Sequence, residues 1–295
     1  MTDLRFEDRV AVVTGAGNGL GRAHALLLAE RGARVVVNDL GGSVDGDGAD
    51  AGAAVAVVEE IRQRGGMAVA SADSVSSAAG GAAIVQTALD EFGRLDIVVN
   101  NAGILRDVTL HRMTPEQFEA VIAVHLLGAF YVTQPAFAHM RERGYGRIVM
   151  TTSAAGLYGS FGQVNYSAAK MGLVGMAKSI SLEGAKYDIL ANVVAPVAAS
   201  RMTEGLMPPG TDQTHAPAAV SPVVGYLSHE SCAVGGEVFS AYAGHVGRVF
   251  VGETRGVTRA TLTVEDVAAS LDEIRALDGF ATPATAVEAL FVGQG

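Results

Sequence analysis

Tyr166 and Lys170 stand four residues apart within a stretch, residues 165–185, that has helical periodicity. They therefore share a helix face, and the ammonium can lie beside the phenol and favour phenolate. A phenol titrating near 10 is a poor acid–base group at neutral pH, and a neighbouring cation lowers that barrier. Lys170 is one of three lysines, with Lys178 and Lys186, in a chain that otherwise uses arginine, whose planar fork differs in shape from a compact ammonium. Ser153, thirteen residues upstream of Tyr166, follows a β-branched run at 147–151, where a strand end and a helix can converge. A second group opens the chain: Thr14-Gly15-Ala16-Gly17-Asn18-Gly19-Leu20-Gly21 follows an apolar strand and leads into a helix. Such a turn lets backbone approach a pyrophosphate, and the helix N-terminus offers unpaired N–H groups and partial positive charge. Asp39 lies 18 residues beyond Gly21, at the end of the next apolar run. A carboxylate there accepts hydrogen bonds from ribose hydroxyls and repels a 2′-phosphate, which favours NAD over NADP.

The elements that position these residues alternate between short β-branched runs and longer helical segments, the pattern of a doubly wound parallel α/β sheet. Seven strands are predicted, at 10–13, 34–38, 67–70, 95–99, 147–151, 190–195 and 238–241. Helices are predicted at 21–31, 53–64, 76–92, 115–141 and 165–185, with Thr114 as N-cap before Pro115. Ligands of such a sheet sit at the carboxyl ends of its strands. Residues 41–52 read as a surface excursion, and 207–222, punctuated by Pro208, Pro209, Pro217 and Pro222, as an irregular lid. Residues 248–252 could extend the sheet, and 263–277 read as a helix capped by Thr263 with Glu265 and Asp266 in its first turn. One domain is expected over 1–245, with 246–295 as its C-terminal extension.

The net charge of −10 and a hydrophobic content of 49% describe a globular chain that repels phosphate backbones and anionic lipid, so neither nucleic acid nor membrane is an expected partner. No uninterrupted apolar run reaches the roughly 18 residues of a membrane span. The single cysteine, Cys232, and the charged start point to a reducing, cytoplasmic setting. His111, His139, His215, His229 and His245 lack metal-ligand spacing, and no metal is expected.

In order along the chain, TGAGNGLG at 14–21, Asp73, NNAG at 100–103, Ser153 and YSAAK at 166–170 resemble the short-chain dehydrogenase/reductase family over about residues 5–245. The resemblance implies a Rossmann-type fold and an enzyme in which Ser153 orients the substrate oxygen, Tyr166 exchanges the proton and Lys170 also holds the nicotinamide ribose. It implies a cofactor site of Gly15, Asn18, Gly19, Leu20, Gly21, Asp39, Asp73, Asn101, Ala102, Gly103, Tyr166, Lys170 and Pro196, and a homodimer or homotetramer. VVVNDLGG at 35–42, NNAGILRD at 100–107, VHLLG at 124–128, the run from Tyr145 to Lys170 and SRMT at 200–203 are similar to the (3R)-hydroxyacyl-CoA dehydrogenase domains of peroxisomal multifunctional enzymes type 2. Bacterial single-domain relatives of that group act on acyl-CoA and steroid substrates.

Two positions depart from the family pattern. His125 stands where most members carry an asparagine of a proton relay. That asparagine acts through its backbone carbonyl, so a helix-packed histidine is favoured here and a proton shuttle is the other reading. The usual Pro-Gly after the sixth strand is Pro196-Val197. The implied activity is NAD-dependent oxidation of a (3R)-3-hydroxyacyl-CoA, with a steroid 17β-alcohol as the enzymatic alternative and Arg106, Arg112 and Arg201 as cations for CoA phosphates. An NADPH-dependent ketoacyl reductase is disfavoured by Asn18, where such members place a basic residue. A silent NAD-binding sensor is disfavoured by the retained Ser153, Tyr166 and Lys170.

Overall fold

The computed structural model describes residues 3–46, 48, 50, 52–199, 213–290 and 292. The chain divides into two compact units, Met1–Arg248 and Val249–Gly295. In the first, β1 (Val10–Thr14), α1 (Gly19–Glu30), β2 (Arg34–Asn38), α2 (Gly52–Gln63), β3 (Met67–Ser71), α3 (Ala78–Phe92) and β4 (Ile97–Asn100) make the first wind. A second follows: α4 (Pro115–Ile122), α5 (Gly128–Arg143), β5 (Gly146–Thr151), α6 (Ala154–Tyr158), α7 (Val164–Gly184), β6 (Ile189–Pro196), α8 (Ser221–Ser228), β7 (Val238–Tyr242) and β8 (His245–Val249). The sheet order is β3-β2-β1-β4-β5-β6-β7-β8, and the pairs from β3 through β7 are parallel.

The sheet thus has eight strands where seven were predicted. Ala243 and Gly244, with φ of 45° and 80°, make a two-residue hairpin turn that folds β8 back beside β7. The sequence His245-Val246-Gly247-Arg248-Val249 has no buried apolar face, which is why its strand is not visible in the hydrophobic pattern, and it begins three residues before the extension expected at 248–252. Val-rich β1, β2 and β4 are almost wholly buried, as strands covered on both faces must be. On one face Leu28, Val57, Ile61 and Leu227 of α1, α2 and α8 pack on Val13, Val35, Val37 and Val99. The other face is covered by α3, α5 and α7.

Thr114 caps α4 through a full capping box with Gln117, and Pro115 occupies its first position. The helical run continues through a π-helical stretch, Ala123–Leu127, into α5. Residues 115–143 hold a window with mean hydropathy of 1.5, the length and apolarity of a membrane span, yet α5 packs against α3 and α4 against α7 within the α/β unit. Residues 200–212, which include the first part of the expected lid, 207–212, and Arg201, lie outside the described residues. The described remainder of the lid forms a 3₁₀ turn, Pro217–Ala219, and then enters α8.

In the second unit the single helix expected over 263–277 is two short ones, α9 (Val264–Ala269) and α10 (Leu271–Arg275), followed by α11 (Ala286–Ala289). Thr263 does cap α9, with Asp266 completing the box, but Ser270 leaves helical geometry (φ −101°, ψ 10°). Neither α9 nor α10 has a buried residue to carry a longer helix through that break.

Candidate active site

Between β1 and β4 the strand order reverses, and the crevice at their carboxyl ends opens into a cleft of about 190 Å³. It is lined by Gly15, Asn18, Gly19, Leu20, Asp39, Asp73, Asn101, Ala102 and Gly103 among others, so nine of the residues assigned from sequence to the cofactor do converge. Gly21 lies just behind the lining: a Cβ there would stand 2.2 Å from the Gly15 carbonyl oxygen and 2.6 Å from Asn101 Nδ2. Pro196 ends β6 opposite Ala241 and is not among the lining residues; Val197 N–H donates to Ala241 O at 3.0 Å, extending the backbone pairing past the strand.

The glycine turn is locked by side chains from the neighbouring strands. Asp39 accepts the N–H of Gly17 through Oδ2 and that of Gly41 through Oδ1, both at 2.7 Å. Asn101 Nδ2 donates to the carbonyls of Thr14 and Gly15, each at 3.1 Å. The Thr14 hydroxyl accepts the N–H groups of Asn101 and Ala102 at 3.0 and 3.1 Å. Thr14 was missed from sequence; a hydroxyl closing an otherwise aliphatic strand was the available signal. Asp73 is held by Ser71 Oγ, which donates to Oδ2 at 3.0 Å, and its carbonyl accepts from Asn38 Nδ2 at 2.9 Å.

Residues 41–46 do more than wander over the surface. Leu105 N–H donates to Val44 O at 3.0 Å and Arg106 Nε to Asp45 O at 3.1 Å, so this strap joins the loop after β4 and contributes Gly42, Ser43, Val44 and Gly46 to the cleft lining. Arg106 is therefore engaged in backbone tethering, while Arg112 lies on an exposed 3₁₀ turn, Leu110–Arg112.

These features fit a dinucleotide. Asn18 at the N-cap of α1 makes no side-chain cap bond and no acidic residue occupies the first turn, which leaves the N–H groups and positive dipole end directed to an anion. Asp39 and Gly103 both line the cleft.

Ser153 follows β5 and N-caps α6, accepting Ala155 N–H at 3.2 Å, and its side chain is the neighbour that favours the Tyr166 phenolate. Tyr166 and Lys170 lie on one face of α7, with Lys170 Nζ 5.5 Å from the Tyr166 ring centroid. The lysine is buried and donates to Thr151 O at 2.6 Å. Burial therefore governs both groups: it holds the Tyr166 phenol above its ordinary value, against the Ser153 hydrogen bond, and brings Lys170 down from 10.5 to about 7. Lys170 is not among the groups that act on the phenol; its amine donates to the Thr151 carbonyl and sits over the Tyr166 ring.

His125 is buried in the π-helical stretch, edge-on to the Tyr166 ring at 5.2 Å. Its Nε2 lies 3.0 Å from the N–H and 2.8 Å from the carbonyl oxygen of Ile104. Burial, aided by the nearby Lys170, lowers its pKa well below 6.5, so the ring is neutral. A Cβ on Gly103 would be 2.3 Å from His125 Cε1, so the histidine and the last glycine of NNAG are packed against each other.

The fold and this cleft define a dinucleotide-binding α/β oxidoreductase. Residues 9–208 match the short chain dehydrogenase family, and the chain belongs to it. A short-chain type dehydrogenase/reductase of Mycobacterium tuberculosis is 52% identical over 274 residues, covering 92% of this chain and 96% of that protein. Peroxisomal multifunctional enzyme type 2 of Drosophila melanogaster is 55% identical over 241 residues, covering 82% of this chain but 40% of the larger enzyme. Its full-length structure superposes with a TM-score of 0.83 at 40% identity, over 99% of this chain and 50% of that one. Hydroxyacyl-CoA dehydrogenase ChsB1 of M. tuberculosis is 41% identical over 270 residues, covering 83% of this chain and 80% of its own length.

The buried amine of Lys170 sets a pH-dependent stability. Its folded pKa, about 7, lies below 10.5, so between those values the unfolded chain holds more protons and stability rises with pH. The cost of charging the amine is present in full below pH 7 and gone near pH 10.5. In thermal scans without cofactor, Lys170→Met gains most over wild type at pH 6, and the gain shrinks toward pH 9; a difference constant across that range contradicts the assignment.

Proposed function

We propose that the protein oxidises the secondary alcohol of a (3R)-3-hydroxyacyl-CoA to the 3-ketoacyl-CoA with NAD. The observation that carries this is the gathering of Ser153, Tyr166 and Lys170 in a unit whose switch-point cleft is lined by Asp39, with Lys170 lining a small pocket that shares Ala102 and Val124 with that cleft, in a chain similar over most of its length to enzymes named for hydroxyacyl-CoA and peroxisomal multifunctional chemistry. The first turn of α1 holds the pyrophosphate, Asp39 the adenosine ribose, Asp73 the adenine and Lys170 the nicotinamide ribose. When bound, the nicotinamide supplies the hydride acceptor. Ser153 orients the substrate oxygen, and Tyr166 takes the hydroxyl proton. Burial disfavours phenolate, so deprotonation of Tyr166 relies on the Ser153 hydrogen bond and on the Lys170 charge when it is present. His125, neutral and held on Ile104, acts by packing rather than as a shuttle.

Asp39 keeps one lone pair on each oxygen after its bonds to Gly17 and Gly41, enough for two ribose hydroxyls and repulsive to a 2′-phosphate. NAD is expected to exceed NADP at least tenfold in kcat/KM, a discrimination of about 1.4 kcal/mol. Equal efficiencies in initial-rate assays sink this assignment; Asp39→Ala is expected to narrow the gap.

Tyr166→Phe is expected to lower kcat by about 10²–10⁴ with NAD binding retained, the loss typical of a positioned proton-transfer group. The assay compares long-chain and steroid-derived 3-hydroxyacyl-CoA esters with a free 17β-hydroxysteroid. Fastest turnover of the free steroid replaces the acyl-CoA reading with the steroid one.

A second copy of the chain is proposed to cover exposed apolar side chains, Leu127 and Phe130 near the start of α5 and Met171 and Leu182 on α7. The open surface over Gly175 on the same face of α7 permits close helix approach. Light scattering at micromolar concentration should give a dimer or tetramer; a 30.2 kDa particle alone contradicts it.

A further inference from the structure

Asn165 immediately precedes Tyr166 and is completely buried. Its Nδ2 donates to Arg106 O at 3.0 Å and to Gln117 O at 3.2 Å, and its Oδ1 accepts the Tyr166 N–H at 2.8 Å. One amide therefore ties together three segments: the loop after β4, helix α4 and the first turn of α7. Both donors and the acceptor are engaged with backbone, so its place is fixed irrespective of which side chains stand at positions 106 and 117.

The loop it holds is the one that flanks the proton-transfer group. Val108 N–H donates to Gly162 O at 2.8 Å and Gln163 Nε2 to Asp107 Oδ2 at 2.7 Å, so residues 106–108 track residues 162–165 through several bonds. The Gln163 tie is exposed, whereas Asn165 is sealed from water. On the α4 side, the same helical run carries His125 edge-on to the Tyr166 ring. Tyr166 itself packs with Ile104, Val121 and Ala169, from the loop, α4 and α7. The apolar side chains against which the Tyr166 ring packs thus belong to segments that Asn165 joins.

We propose that Asn165 is a positioning residue for proton transfer: by bridging Arg106 O and Gln117 O to the first turn of α7, it sets where the Tyr166 hydroxyl stands relative to substrate. The role rests on Tyr166 being the acid–base group. A displacement of about 1 Å at a reacting group can cost on the order of 10² in rate, so loss of the bridge acts on turnover before it acts on cofactor binding.

The test is a double-mutant cycle with NAD and (3R)-3-hydroxydecanoyl-CoA as the probe. Asn165→Ala is expected to reduce kcat by about 10- to 100-fold while NAD affinity, read by calorimetry, changes less than about threefold. Added to Tyr166→Phe, it is expected to cost less than about threefold, because an amide that acts through the phenol has nothing left to position. Wild-type kcat in Asn165→Ala, loss of NAD affinity in step with kcat, or the same factor lost in both backgrounds overturns the role. Asn165→Asp, which keeps the acceptor and the shape but removes both donors, carries the same cycle should the alanine variant not fold. Wild-type turnover by Tyr166→Phe alone overturns the underlying catalytic assignment instead, a result separable from an inactive Tyr166→Phe beside a fully active Asn165→Ala.

Discussion

The structure turns on the clasp between the ends of β1 and β4. At a switch point the following helices diverge to opposite faces, and the crevice that results has to be held to a fixed width by groups other than the ladder itself. Here Asn101 donates to the carbonyls of Thr14 and Gly15, and the Thr14 hydroxyl accepts two N–H groups in return. Removing either partner would leave buried backbone groups unpaired, each worth about 1–3 kcal/mol. The clasp also explains why no side chain fits at Gly21, which abuts both the Gly15 carbonyl and the Asn101 amide. Cleft geometry, helix start and strand end are consequences of the same few hydrogen bonds.

Around Tyr166, desolvation outweighs charge. Tyr166, Lys170 and His125 lie together, and burial is the largest influence on each: it lifts the phenol, brings the amine toward neutrality and keeps the imidazole uncharged. A cation beside a phenol lowers its pKa only if it remains charged and faces the oxygen, and Lys170 in the free protein satisfies a carbonyl instead.

Much of this was legible in the sequence where the signal was local. A glycine turn between a strand and a helix, a carboxylate ending the next strand, and Tyr and Lys one helical turn apart each lie within one supersecondary unit, and the fold class follows from their alternation. What the sequence hid depends on distant partners. The strap at 41–46 is polar and glycine-rich and gains its role only from Leu105 and Arg106, some sixty residues on. The eighth strand is an edge hairpin with no buried stripe to announce it. Asn165 reads as an ordinary polar residue at a helix start, although it falls on the same stripe as Ala169, Leu173 and Ala177, all buried. A lone amide on an apolar face was the available clue, because a buried polar group has to find its partners somewhere.

The loop after β4 unites these observations. Toward the cleft Leu105 and Arg106 bond the strap; beneath, Ile104 meets His125 Nε2; toward α7 Arg106 O meets Asn165 and Val108 meets Gly162. Its backbone is thus fixed from three directions within five residues. A histidine suits the position below it because one ring nitrogen reaches both the N–H and the carbonyl of Ile104 while the ring's edge fills the space that Gly103 leaves open. A smaller amide could reach the same backbone groups but would not fill that space, so His125 and Gly103 have to be understood as a pair. Held in this way, the loop is a wall common to the switch-point cleft, which Gly103 and Ile104 line, and to the Tyr166 ring, against which Ile104 packs.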